Sequence, residues 1–168
     1  IIFNNLDDQH LLFSELNDSK KLSKTKREKL AQQLPSFAKI GVGCASVNEI
    51  DALNILKATI VAMGRAIDNL PERPDYILVD GNHLPKTNFE EQSVIRGDSI
   101  SYSIAAASVI AKVKRDKLMS ELSLEYPGYG WETNAGYGTK IHQEALLRQG
   151  ITKHHRKSFS PIRNMLIK

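Results

Sequence analysis

Apolar residues at Leu53, Leu56, Ile60, Met63, Ile67 and Leu70 recur every three or four positions, the spacing of one face of an amphipathic helix. Ser46, followed three residues later by Glu49, supplies a capping box at its start, and Pro71 and Pro74 mark its end. The preceding stretch has a different period. Ala38, Ile40, Val42 and Cys44 alternate with Lys39, Gly41, Gly43 and Ala45, which predicts a strand that turns Cys44 toward the core. Two further strands are predicted at 76–79, short and apolar enough to be buried, and at 92–96. They deliver Asp80-Gly81 and Gly97-Asp98 at their C-terminal ends. After Ser103 a helix begins apolar on all sides and becomes amphipathic, with Ile110, Val113, Leu118 and Leu122 expected inward. Ser23 is placed to cap a helix that Pro35 stops, and Gly150 to end one that starts at Thr139; Ser160-Pro161 reads as N-cap and first residue of a last short helix. Residues 1–3 read as the end of a strand. Helices mixed with strands predict an α/β sheet fold. Without a repeat or a linker, 1–168 reads as one domain with a C-terminal helical part from about 126.

Composition narrows the class. The 168 residues are 41% hydrophobic and 25% charged, too apolar for a disordered chain and ordinary for a globular one. No apolar run approaches membrane-spanning length and no signal peptide is read at the start, so neither is expected. A single cysteine, Cys44, excludes an intramolecular disulfide and a cysteine-based zinc site, and points to a reducing, cytoplasmic setting. The net charge of +4 is unevenly spread. Lys20, Lys21, Lys24, Lys26, Arg27 and Lys29 crowd one segment, and the tail from Lys153 carries basic residues with no acidic one. Both segments suit a phosphate backbone, although solvated helix faces share this composition.

Asp80 and Asp98 are the sharpest chemical feature. Each stands where a short strand meets a glycine, and the C-terminal edge of an α/β sheet is where ligands bind. Carboxylate oxygens there suit Mg²⁺ or Mn²⁺ and the metal-assisted attack of water on a phosphodiester; the plain alternative is a pair of turn residues. Asp116, among Lys114, Arg115 and Lys117, reads as a surface ion pair. His142 reads as a satisfied imidazole, and His154 and His155 as phosphate contacts or solvated side chains. Tyr137, between Gly136 and Gly138, either stacks on a sugar or base or caps the core. The string Asp18-Ser19-Lys20-Lys21-Leu22 either sets donors on a phosphate or is a charged entry to a helix.

Several strings together resemble ribonuclease HII, the bacterial type 2 ribonuclease H. They are LNDSKKLS at 16–23, EIDALNILKAT at 49–59, ILVDGN at 77–82, RGDSISYSIAAASVIAKVKRD at 96–116, AGYGTKIH at 135–142 and HHRKSFSPIR at 154–163. The likeness runs in order along essentially the whole chain. It implies a ribonuclease H-like mixed sheet flanked by helices, and an endonuclease that cuts the RNA strand of RNA–DNA hybrids and incises duplex DNA 5′ to an embedded ribonucleotide. It further implies four carboxylates holding two Mg²⁺ or Mn²⁺ ions, with Asp80 and Asp98 at the third and fourth positions and Asp116 outside the set. Tyr137 matches the tyrosine that senses the ribose at an RNA–DNA junction. Ser19, Lys20 and Lys21 match a loop that lies along the backbone, with Lys112 and Arg115 as further contacts.

One departure stands out. The family's first strand carries an Asp-Glu pair followed by Gly-Arg-Gly, and neither occurs here; Asp7-Asp8 are followed by Gln-His. The expectation is therefore an enzyme whose first strand is truncated, poor in metal binding, inactive or nearly so, and prone to self-association although the family is usually monomeric. The rivals are a non-catalytic hybrid-binding fragment and ribonuclease HIII; the DSKKLS, VDGN and HHRKSF contexts favour HII.

Overall fold

A computed structural model describes residues 1–5 and 10–167. Asp7 and Asp8 lie outside the described residues. The chain divides into two compact units. The first comprises Ile1–Cys44 and Thr59–Val113, the second Ala45–Ala58 and Lys114–Lys168.

In the first unit, β1 (Ile2–Phe3) pairs antiparallel with β2 (Ala38–Lys39), Ile2 opposite Lys39 and Phe3 opposite Ala38. Between them run α1 (His10–Glu15) and α2 (Lys24–Gln33). The side chain of Ser23 caps α2 by accepting from the Lys26 amide at 3.3 Å, and Pro35 sits in a single 3₁₀ turn that ends it. A parallel pair follows: β3 (Tyr76–Asp80) beside β4 (Glu90–Val94), with Asp80 opposite Val94. The second strand thus lies two residues earlier than the sequence pattern places it. The α/β class holds, but the single mixed sheet appears among the described residues as two separate two-stranded ladders.

The core of this unit gathers Leu12, Phe13, Leu16, Leu30 and Leu34 onto Ala105, Ala106, Val109 and Ile110. These last four are the apolar start of α5 (Tyr102–Glu125), a helix packed closely because its first turns carry alanines. Phe13 stacks on Tyr102 with ring centroids 4.7 Å apart.

The alternating stretch after β2 is not a full strand. Beyond Lys39 it has no ladder partner among the described residues, and side chains take over the role of one. Asn69 donates to the Val42 carbonyl at 2.9 Å and Arg65 to the Cys44 carbonyl at 2.7 Å. The glycines there are required by proximity. A Cβ on Gly41 or Gly43 would lie 2.0 Å from the carbonyl oxygen of Ala66 or Ala62. Cys44 is exposed, not in the core, because the segment is pinned to the helix by its glycine face.

That helix also differs from the pattern. The predicted single helix is two: α3 (Val47–Leu53), opened by the Ser46–Glu49 capping box, and α4 (Ile55–Asp68). Asn54, with φ 72°, separates them. Its amide closes α3 on the Ile50 carbonyl and its side chain accepts from the Lys57 amide at 3.2 Å, so one residue ends a helix and starts the next.

An open apolar groove of about 510 Å³ within the first unit is lined by Ile2, Ile40, Met63, Ile67, Leu78 and Ala107, among others. It explains why the strand expected to be buried is not. Only Val79 of β3 is buried; Tyr76 and Leu78 are 49% and 39% exposed, since β3 has a partner on one edge only among the described residues.

The second unit has its own core of Met119, Tyr129, Trp131, Ala145, Leu146 and Ile162. It contains α6 (Trp131–Asn134), α7 (Lys140–Gln149) and α8 (Ile162–Leu166). Thr139 caps α7 and Gly150, φ 80°, ends it, both as the sequence predicts. The last helix starts one residue later than expected, with Pro161 at the N-cap. Leu118, expected inward, is 46% exposed; Met119 takes the buried position instead. Among the described residues no helix is long and apolar enough to cross a membrane.

Candidate active site

Asp80 ends β3 and Asp98 lies in the 3₁₀ turn Gly97–Ser99 that follows β4. The parallel register carries both strand ends to the same edge. Backbone hydrogen bonds then join the turns: the Gly81 amide donates to Val94 O at 3.0 Å, and the Gly97 amide donates to Oδ1 of Asp80 at 2.9 Å. For the second bond the chain must reverse at Arg96, which adopts the left-handed conformation at φ 57°, ψ 38°. Gly97 is buried, and a Cβ there would meet Ile104 Cδ1 at 2.4 Å. Asp80 is exposed and Asp98 half-buried, so both carboxylates keep oxygens open to solvent.

Hard oxygen donors of this kind fit Mg²⁺ or Mn²⁺. Among the described residues no group of three or more His, Cys, Asp or Glu side chains is placed to hold a metal.

The basic loop before α2 is built on Asp18. Its carboxylate accepts from the Lys20 amide at 2.9 Å and its carbonyl from the Lys21 amide at 2.9 Å, an Asx turn. Arg27 reaches back from α2 and donates to the carbonyls of Ser19 and Leu22 at 2.9 and 2.5 Å. Ser19 is buried, while Lys20 and Lys21 are exposed. Of the three residues singled out here, two present charge and one anchors the loop.

In the second unit Tyr137 is 66% exposed, which removes the reading as a core cap. Its loop is held by Asn134, whose Oδ1 accepts from the Gly136 amide at 2.8 Å and whose Nδ2 donates to Tyr129 O at 2.8 Å. Gly136, φ +84°, comes close to Arg115: a Cβ there would lie 3.0 Å from its Nη2. The loop bearing Tyr137 and the exposed Arg115 are thus neighbours. Lys112 lies on α5 three residues before Arg115, half-buried.

Two of the histidines singled out in the sequence are not solvated. His142 and His155 are buried, their rings 5.2 Å apart, and both pack on Tyr129 and Trp131. Trp131 Nε1 donates to His142 Nδ1 at 3.2 Å, so the proton of neutral His142 is on Nε2. The Thr152 amide donates to His155 Nδ1 at 2.9 Å, which puts that proton on Nε2 as well. Burial lowers the pKa of both, His142 despite a hydrogen bond to the Tyr129 backbone; the nearby His142 lowers His155 further, to about 4. The expectation of phosphate contact or solvation fails for His155, because a neutral ring in an aromatic core is the form this environment holds.

Sequence reasoning also passed over Asp51. It accepts from the amides of Lys157 and Ser158, each at 2.9 Å, and from the Ser158 hydroxyl at 2.5 Å, tying α3 to the basic tail. Desolvation raises its pKa, but the Ser158 hydroxyl and the two amides outweigh that and the net shift is downward. The signal was an acidic residue in a quoted motif with no role assigned to it.

Known proteins place this geometry in context. Residues 2–162 match the family model described as Ribonuclease HII. A ribonuclease HII of Cereibacter sphaeroides is 53% identical over 152 residues, 90% of this chain and 72% of that protein. One from Wolbachia sp. subsp. Brugia malayi is 49% identical over 164 residues, 98% of this chain and 79% of that protein. Among solved structures, ribonuclease H2 from Pyrococcus horikoshii OT3 superposes with a TM-score of 0.74, covering 94% of this chain and 83% of that one at 23% identity. That last likeness establishes a shared fold.

Proposed function

The chain belongs to the ribonuclease HII family, a family of endoribonucleases, and on that premise we propose that it hydrolyses the RNA strand of RNA–DNA hybrids and incises duplex DNA 5′ to an embedded ribonucleotide. The observation that carries this reading is the Gly97–Asp80 hydrogen bond, which fastens two carboxylate-bearing turns at one strand edge. Asp80 and Asp98 would hold a Mg²⁺ or Mn²⁺ ion; bound there, such an ion activates water and stabilises the leaving oxygen of a phosphodiester. The turn that fixes Asp80 orients one of its oxygens and leaves the other for a ligand. Lys20 and Lys21 neutralise backbone phosphates, Ser19 anchors their loop, and Tyr137 meets the sugar at the RNA–DNA junction with Arg115 and Lys112 as backbone contacts. A lone, unpaired Cys44 suits a reducing compartment, and the cytoplasm is the proposed place of action.

A second reading takes the described residues by themselves, among which Asp80 and Asp98 belong to no group of three or more His, Cys, Asp or Glu side chains placed to hold a metal. In it the chain binds hybrids through the same loops without cutting them. The groove beside β3, open on an unpaired edge among the described residues, would then favour pairing with a second copy.

A nicking assay of this chain separates the two. Cleavage of a hybrid, and of duplex DNA holding one ribonucleotide, in Mg²⁺ or Mn²⁺ supports the nuclease; tight binding without cleavage in either metal supports the binding module.

A further inference from the structure

Arg96 occupies the left-handed region at φ 57°, ψ 38°, where glycine sits without penalty and a side chain with a Cβ does not. The turn needs that conformation, because it points the Gly97 amide at Asp80. It does not need an arginine. Among the described residues three other non-glycine residues have positive φ: Asn54, Lys86 and Ala135. Asn54 uses its side chain as a helix cap, Ala135 has almost none to use, and Lys86, also an exposed cation, lies in the loop before β4 where its amide donates to Glu91 at 3.2 Å, so what sets Arg96 apart is its place in the turn between Asp80 and Asp98. Arg96 is exposed, and its guanidinium makes no hydrogen bond or ion pair among the described residues. So the fold keeps a long cation at a position where its backbone favours glycine, gives its five donors no partner among the described residues, and places it at the turn joining Asp80 to Asp98.

We infer that Arg96 is a substrate-positioning residue: its guanidinium contacts a phosphate of the nucleic-acid strand presented to Asp80 and Asp98. The inference rests on the nuclease reading and names one further contact for it. A planar fork of donors matches phosphate oxygens, and a cation beside two carboxylates offsets their repulsion of a polyanion. Its role is one of placement.

The test uses this chain, an RNA–DNA hybrid of defined sequence, and two readouts. The first is thermal unfolding of Arg96→Gly, expected at the same temperature as wild type or above it, since glycine suits the turn. The second is hybrid affinity across a salt series, expected about tenfold weaker at low salt for Arg96→Gly, with the slope of log affinity against log salt shallower by about 0.9. Arg96→Lys should restore the slope, and Arg96→Asn, which also tolerates the left-handed region, should behave as Arg96→Gly. Unchanged affinity and slope in Arg96→Gly and Arg96→Asn would overturn the inference while leaving the family activity standing. If wild type neither bound nor cut the hybrid, the nuclease reading itself would fall, and this contact with it.

Discussion

The backbone amide of Gly97 donates to the Oδ1 of Asp80 across 2.9 Å. A carboxylate that is structurally anchored and chemically available at once makes a clean separation of roles possible. Asp80→Asn keeps an Oδ1 acceptor for Gly97 and loses the charge. Cleavage should fall by about a hundredfold or more, and Asp98→Asn should do the same, with melting temperatures close to wild type. Full activity in either variant in a hybrid-cleavage assay would remove that residue from the site.

Tyr137 is largely exposed on a loop held by Asn134. Tyr137→Ala should therefore leave stability within about 0.5 kcal/mol of wild type. It should reduce incision at a single embedded ribonucleotide more than it reduces affinity for plain duplex. Equal losses in the two assays would make it a general contact.

Lys20 and Lys21 face solvent above a loop clamped by Arg27. Each change to alanine should flatten the salt dependence of hybrid binding by about 0.9 of slope, the signature of one phosphate neutralised. A parallel shift of the curves, with the slope unaltered, would show that the lysines act otherwise.

Gly43 lies against the backbone of α4, where a Cβ would sit 2.0 Å from Ala62 O and 2.5 Å from Ala66 N. Neither atom belongs to a side chain that can swing away. Gly43→Ala should cost about 1–3 kcal/mol or more of stability, read as a lower urea midpoint. Gly138→Ala, with nothing within 4 Å of its added Cβ, serves as the comparison and should unfold near wild type.

His155 is neutral and buried, with a pKa of about 4 against 6.5 for a free imidazole. A base whose folded pKa is lowered leaves the unfolded state binding more protons between those values, so stability is complete above about pH 6.5 and declines as pH falls toward 4. The full decline from this group is on the order of 3 kcal/mol, and His142 adds in the same direction. Urea unfolding at pH 7.5 and 4.5 measures it. His155→Phe should lose much of the difference, whereas an unchanged difference would assign the pH dependence to other groups.

Much of this fold is legible where a local rule acts alone. Ser23, Thr139 and Gly150 set helix ends through a single side chain or a single positive φ, and the structure places all three as the sequence does. The family strings likewise locate Asp80, Asp98 and Tyr137 on turns and loops. What escaped is what depends on a distant partner. Asn54 breaks a helix whose apolar stripe runs straight through it, because its side chain caps the next turn. Cys44 alternates like a core residue, yet Asn69 and Arg65 pin its segment from outside the pattern. Asp51 has no role in the sequence pattern and His155 reads there as a phosphate contact or solvated side chain; their partners stand 107 residues away for one and in an aromatic cluster for the other.

The chain has one tryptophan, and Trp131 is buried in the core of the second unit, where His142 and His155 pack against it. Fluorescence excited selectively at indole therefore follows the melting of that core, while the first core, built on Leu30, Leu34 and Val109, is silent to it. Circular dichroism of the helices follows both. Coincident curves from the two signals would establish one cooperative transition; separated curves would give each core its own unfolding free energy.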